Sequence, residues 1–286
     1  MRLFRSKEAG DGNGLTRGSP DPVGSESMRR LGLNKGGYFG ERLELQPFLA
    51  SLLQRAEHKG WQPEILTIDQ ELKLCLLHRP ALRQSAKNIY ISAGIHGDEP
   101  AGPLAVQDMI DADAWPDSLN LWLWPCLNPT GFKDGRRENG RGMDLNRDYL
   151  RFQSAETRAH RDRLQRLPNF DLCVCLHEDW ESDGFYLYEL NPDQLASPAQ
   201  EIIRNVAAVC PIDQASEIEG RPATAGIIQP NVDPKTRSDW PEAFYLIQAK
   251  TRLSYTMEAP SDYPLTTRVA ALTISVNTAL RFLYKT

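Results

Sequence analysis

Ile95-His96-Gly97-Asp98-Glu99-Pro100 sets an imidazole and a carboxylate three positions apart, directly after the apolar stretch Asn88–Ala93. At a strand-to-helix turn, residues with that spacing can aim at one ion, and Gly94 and Gly97 let the backbone turn sharply and approach its neighbours closely. A second imidazole, His177, ends another apolar stretch, Asp171–Leu176, and is followed by Glu178 and Asp179. Two imidazoles and a carboxylate form a zinc ligand set that leaves one position for water, the open arrangement of a catalytic centre. The competing reading is a histidine satisfied in a structural or surface role, and it takes His58, His78 and His160, which sit among charges with no partner motif. For His96 and His177 the spacing alone leaves both readings open.

Two further segments carry candidate chemistry. Asn128-Pro129-Thr130-Gly131 leads into an arginine- and glycine-rich run from Arg136 to Arg147. Guanidinium forks hold carboxylates bidentately and stabilise a developing oxyanion, although a solvated basic loop has the same composition. Leu253–Glu258 ends an apolar run in a carboxylate, which serves as a cap or ion-pair partner, or as a proton acceptor beside a metal-activated water. Glu178 and Asp179 either orient an imidazole or form an exposed acidic turn. Cys173 and Cys175 share one strand face and read as apolar filling. Phe185, Tyr186 and Tyr188 alternate as core packing does, with a substrate groove as the other possibility.

The elements that must position these residues alternate in type. Phe48, Leu49, Leu52, Leu53 and Ala56 recur at helical spacing and Gly60 closes that helix. Strands are predicted at Glu64–Asp69, Leu72–His78, Asn88–Ala93, Leu119–Cys126, Asp171–Leu176, Phe185–Leu190 and Leu253–Glu258. Helices are predicted from Pro100, at Ala196–Val209, at Pro241–Lys250 and from about Pro264 to the end. This alternation implies an α/β fold: a mixed, mostly parallel central sheet with helices on both faces, its sites beyond the carboxyl ends of the strands.

Composition bounds the rest. The 286 residues carry 33 Lys and Arg against 38 Asp and Glu, a net charge of −5 without the basic footprint of a nucleic-acid binder. Apolar runs are too short to span a bilayer. Residues 1–40 are rich in Gly, Ser and Arg and read as a flexible tail lacking the apolar core of a signal peptide, which leaves 41–286 as one catalytic domain. Five cysteines without scaffold spacing suit a reducing compartment, so a cytoplasmic location is expected.

Taken in order, His-Gly-Asp-Glu, Asn-Pro-Thr-Gly, Arg-x₆-Asp-Leu-Asn-Arg, a distant His and a late Thr-x-Glu resemble the zinc carboxypeptidase family of carboxypeptidase A type, over roughly Asn88–Pro260. The resemblance implies one zinc per chain held by His96, Glu99 and His177, with Glu258 as general base and Arg137 polarising the scissile carbonyl. It implies that Asn146 and Arg147 hold the terminal carboxylate of a small peptide substrate. The family's tyrosine, about twenty residues before the catalytic Glu, has no counterpart: Glu242 stands near that position and Tyr245 is a weak substitute. The motifs are equally similar to bacterial murein-peptide amidases and to the succinylglutamate desuccinylase and aspartoacylase group, which cleaves N-acyl amino acids. A metallocarboxypeptidase is the first expectation, an N-acyl-amino-acid deacylase the second, and a zinc-free binding module on the same scaffold the third.

Overall fold

The computed structural model describes residues 28–68, 72–83 and 86–285. Helix α1 (Leu45–His58) buries Phe48, Leu52 and Ala56, and the chain leaves it through Gly60 in the left-handed region, as its spacing predicts. The hairpin β1 (Gln62–Thr67) and β2 (Lys73–Arg79) leads to β3 (Lys87–Ala93), α2 (Ala101–Ala112), β4 (Leu119–Trp124) and the short α3 (Pro129–Asp134). Then come α4 (Ala155–Leu164), β5 (Leu172–Asp179), β6 (Tyr186–Leu190) and α5 (Ala199–Val206). Three short strands, β7 (Glu217–Ile218), β8 (Arg221–Thr224) and β9 (Ile227–Ile228), precede α6 (Glu242–Ala249), β10 (Ser254–Pro260) and α7 (Leu265–Lys285).

The ten strands form one sheet in the order β1-β2-β4-β3-β5-β10-β6-β9-β8-β7. Its centre, β4-β3-β5-β10, is parallel, as crossovers through covering helices require, while β1, β2 and β6 pair antiparallel with their central-side neighbours. The parallel character expected of the sheet therefore belongs to its centre and to the short β6–β9 pair. Along β5 the side chains alternate: Leu172, Val174 and Leu176 join the core under α1, α2, α5 and α7, while Cys173 and Cys175 join the one under α4 and α6. The cysteines are free and buried, apolar filling as read from the sequence.

Two predicted strands stop too early. β5 runs on through His177 to Asp179 and β10 through Glu258 to Pro260, because their parallel ladder continues to the pair Pro260↔Asp179. Charged residues hid that continuation from a reading based on apolar runs. Of the tail expected over 1–40, residues 1–27 lie outside the described residues. Residues 28–44 form an irregular strap tied to the domain: the Leu31 N–H donates to the Asp262 carbonyl at 2.7 Å, and Asn34 is buried.

Candidate active site and metal centre

The loop after β3 is shaped by contact with the turn after β4. A Cβ on Gly97 would overlap the backbone of Gly131, and the Gly97 N–H donates to the Arg136 carbonyl at 3.0 Å. This close approach turns His96 and Glu99 toward the end of β5. There Nδ1 of His96 lies 2.5 Å from Glu99 Oε1, and Nδ1 of His177 lies 3.0 Å from Glu99 Oε2. All three residues are buried, and their ligand atoms lie within 4.8 Å of one another. Burial alone would lower His96 and raise Glu99, but their mutual attraction wins: His96 is pushed up to about 9, His177 also rises, and Glu99 is held well below the usual carboxylate range. Two imidazole nitrogens and a carboxylate converging out of water fit a divalent transition metal ion.

Asp144, quoted in the sequence motif without a role, braces this centre. Its Oδ1 lies 3.3 Å from Nε2 of His96 and accepts the Asn146 N–H at 2.9 Å, while its Oδ2 accepts Nε of Arg137 at 3.0 Å. The His96 and Arg137 partners hold Asp144 below its ordinary range although burial acts the other way. Arg137 Nη1 stands 3.8 Å from Glu99 Oε1, with its side chain 40% exposed toward the cavity. The Asn146 Oδ1 accepts the Glu242 N–H at 2.9 Å, which leaves its amide NH₂ as a donor, and Arg147 Nη1 donates to the Asn146 carbonyl at 2.8 Å. Glu178 and Asp179 are not an exposed turn. The Glu178 N–H donates to Glu99 at 3.2 Å and its carboxylate pairs with Arg268, while Asp179 accepts the Tyr186 hydroxyl at 3.0 Å.

Glu258 pairs across the ladder with His177, so by the alternation of both strands the two side chains share a face of the sheet. Burial, with the negative charge of Glu99 adding to it and His177 opposing, pushes its carboxyl well above the usual range. A cavity of about 530 Å³ is lined by all seven residues singled out in the sequence: His96, Glu99, Arg137, Asn146, Arg147, His177 and Glu258. Neither Glu242 nor Tyr245 reaches it. Glu242 is buried against the Tyr90 hydroxyl, and Tyr245 packs on Tyr149 and Phe152. The tyrosines that do line it are Tyr188, whose hydroxyl donates to Glu219 at 2.5 Å, and Tyr38 of the strap. Sequence reasoning also missed Arg221 and Arg237, which line the cavity with Arg147. Arg237 is stacked 4.8 Å over Phe244, and burial together with Arg221 and Arg147 lowers its pKa, Asp239 opposing. No local motif marks either arginine.

His160, set aside in the sequence, is fully buried between the hydroxyls of Tyr90 at 2.9 Å and Tyr149 at 2.6 Å, and burial lowers it to about 3. His78 stacks on Trp122 at 4.7 Å, and His58 is exposed at the end of α1.

Residues 85–217 match the family model of the succinylglutamate desuccinylase/aspartoacylase catalytic domain. No curated protein sequence matches the chain. A candidate metallopeptidase from Shewanella amazonensis is 26% identical, with a TM-score of 0.76 over 86% of this chain and 98% of that one. The fold is shared with a metallo-carboxypeptidase from Burkholderia cenocepacia, at 17% identity and a TM-score of 0.63 over 84% of this chain and 69% of that one. It is shared too with one from Pseudomonas aeruginosa in complex with (2-guanidinoethylmercapto)succinic acid, at 20% identity and a TM-score of 0.63 over 83% and 68%. Motif order, family match and fold agree: the chain is similar to the zinc carboxypeptidases, on the side of the succinylglutamate desuccinylase and aspartoacylase group.

Proposed function

We propose that the protein is a zinc-dependent amidohydrolase that cleaves the amide bond preceding a residue with a free carboxylate, in a small peptide or an N-acyl amino acid. The observation that carries this reading is the convergence of His96, Glu99 and His177, with Glu258 one strand away at the register of His177. Zinc held by those three residues supplies a Lewis acid that polarises the scissile carbonyl and acidifies water. Asn146 and Arg147 hold the substrate's terminal carboxylate, with the fixed Asn146 amide donating alongside the guanidinium. Arg221 and Arg237 add positive charge around that anionic end. Arg137, kept charged and aimed by Asp144, faces the carbonyl oxygen as negative charge develops there. The Glu258 carboxylate takes a proton from the attacking water and returns it to the leaving amine nitrogen. Its buried carboxyl would be kept in the ionised form that this step needs by the positive charge of a metal held at His96, Glu99 and His177.

The family match over residues 85–217 favours N-acyl amino acids as the second substrate class beside peptides. The test is release of free amino acid by the zinc-loaded protein from blocked dipeptides, acetyl- and succinyl-amino acids and murein peptides, in parallel with Glu258→Gln. The substitution is expected to lower kcat by about 10²–10⁴-fold while stoichiometric zinc is retained. Full turnover by that variant would remove Glu258 as the base. Protein that neither contains nor acquires zinc would instead support a non-catalytic binding module.

A further inference from the structure

The cavity lies at the carboxyl edge of the sheet, lined by His177, Glu178 and Asp179 of β5 and Glu258 of β10. Its carboxylate-binding end, with Asn146, Arg147 and Phe244, lies on the side of α4 and α6, since Leu145 packs in that core and Asn146 bonds to the start of α6. The opposite end is lined by Tyr38, Glu178 and Ser261, on the side of α2 and α7. The metal-ligand cluster lies between these ends: Asp144 ties the Asn146 backbone to His96 on one side, and Glu99 accepts the Glu178 N–H on the other. A substrate anchored by its carboxylate at the first end and cleaved at the cluster has its acyl portion on the far side of the cluster, the side that Tyr38 lines.

The strap carrying Tyr38 is built into the catalytic edge. The Asp262 carboxylate, two residues beyond β10, accepts the N–H groups of Gly32 at 2.9 Å, Leu33 at 2.8 Å and Asn34 at 3.2 Å, together with Nε of Arg30 at 2.9 Å. The fully buried Arg268 donates to the Tyr38 hydroxyl at 3.2 Å and to Glu178 at 2.5 Å, and pairs with Glu41. Glu178 in turn accepts the first N–H of α2 at 2.6 Å. With its hydroxyl engaged by Arg268 and by the Glu41 carbonyl at 3.0 Å, Tyr38 has its ring left to offer the cavity. The ring folds back over Gly40, where an added Cβ would come within 2.5 Å of its Cζ.

We propose that Tyr38 is a specificity-determining residue: the strap walls off the acyl side of the cleavage point and restricts it to a short acyl group, a small acid or a single amino-acid residue. This rests on the amidohydrolase reading. The test uses substrates that share one C-terminal residue while the acyl part grows from acetyl to a blocked tripeptide. The wild-type protein is expected to lose about tenfold or more in kcat/KM from the short to the long member, mostly in KM. Tyr38→Ala is expected to raise the long-to-short ratio by about tenfold, and Gly40→Ala, which displaces the ring without changing its chemistry, to raise it in the same direction. Tyr38→Phe keeps the ring and should keep the wild-type ratio, which separates a wall from a merely structural contact. A wild-type ratio near one, or variants that shift both substrates in parallel, would overturn the proposal. If no member is hydrolysed, the amidohydrolase reading has failed on its own account. The wall is then read by calorimetric binding of the same series: gain of long-chain binding in Gly40→Ala supports it, and equal affinities in both proteins overturn it.

Discussion

At Asp144 one carboxylate backs three functional groups: the ring of His96, the guanidinium of Arg137 and the backbone of Asn146. Its charge orients a ligand and holds Arg137 in reach of the cluster, so Asp144→Asn keeps the shape and removes the electrostatic brace. Metal affinity is expected to fall by about 10–100-fold, the usual cost of losing such an outer partner, with a further loss in kcat through Arg137. Competition with a chelator measures the first and steady-state kinetics the second; unchanged affinity would show that Asp144 is not bracing the ligand. Arg237 makes a different case. It stands among the like charges of Arg221 and Arg147 in the cavity lining, and on the proposed reading Arg237→Gln is expected to raise KM with kcat nearly constant, as loss of uniform binding does. A fall in kcat at constant KM would place it at the reacting atoms instead. His96, His177 and Glu258 stand out as candidates because they follow or end readable apolar runs, and Glu99 because it lies three residues after His96. Arg221 and Arg237 do not, since their meaning depends on a fold-back of short strands and turns with no motif of its own.

Elements hold the site through two close contacts. The loop carrying His96 and Glu99 packs its Gly97 directly onto the backbone of Gly131, with no flexible side chain between them to yield. Gly97→Ala must therefore separate the two loops, and it is expected to abolish stoichiometric metal binding even where soluble protein is obtained. Normal metal content in that variant would refute the contact. On the other side of the sheet, α7 supplies Arg268, fully buried against Glu178, whose carboxyl burial pushes up to about 7 despite that partner. Arg268→Met leaves the acid without its charged partner, only the Ala101 N–H remaining, and should cost about 3–5 kcal/mol of stability by denaturant unfolding. A loss under about 1 kcal/mol, the range of an exposed pair, would contradict that placement. Periodicity reveals where β5 and β10 begin but not how far they extend, because the residues that continue them, among them His177, Glu178, Asp179 and Glu258, are polar or charged and line the cavity. The strap is hidden from side-chain patterning for a related reason: much of its hold comes from backbone N–H groups on Asp262, and its side-chain anchors Arg30, Tyr38 and Glu41 meet partners 227 to 232 residues away.

For the whole molecule, the cluster couples folding, protons and metal. In the metal-free fold, burial would keep His96 neutral, yet Glu99 and Asp144 raise it from 6.5 to about 9. A group raised in the folded state stabilises that state fully below pH 6.5, and the contribution drains away as pH climbs through about 9. Metal binding runs the opposite way, because the same imidazoles must be neutral to act as ligands, so protons compete with it less as pH rises. The rise in Tm on metal loading is therefore expected to widen steadily between pH 6.5 and 9. His160 provides the internal control. Its folded value is lowered by burial to about 3, so its contribution is intact above pH 6.5 and is lost only as pH falls toward 3. His160 lies in a separate buried network with Tyr90 and Tyr149, so this acid loss should appear alike in metal-free and metal-loaded protein. Scanning calorimetry of chelator-treated and zinc-loaded protein across both intervals separates the two effects. A Tm difference that stays flat between pH 6.5 and 9 would mean that His96 does not hold its proton against Glu99, and that the metal meets a site already neutral.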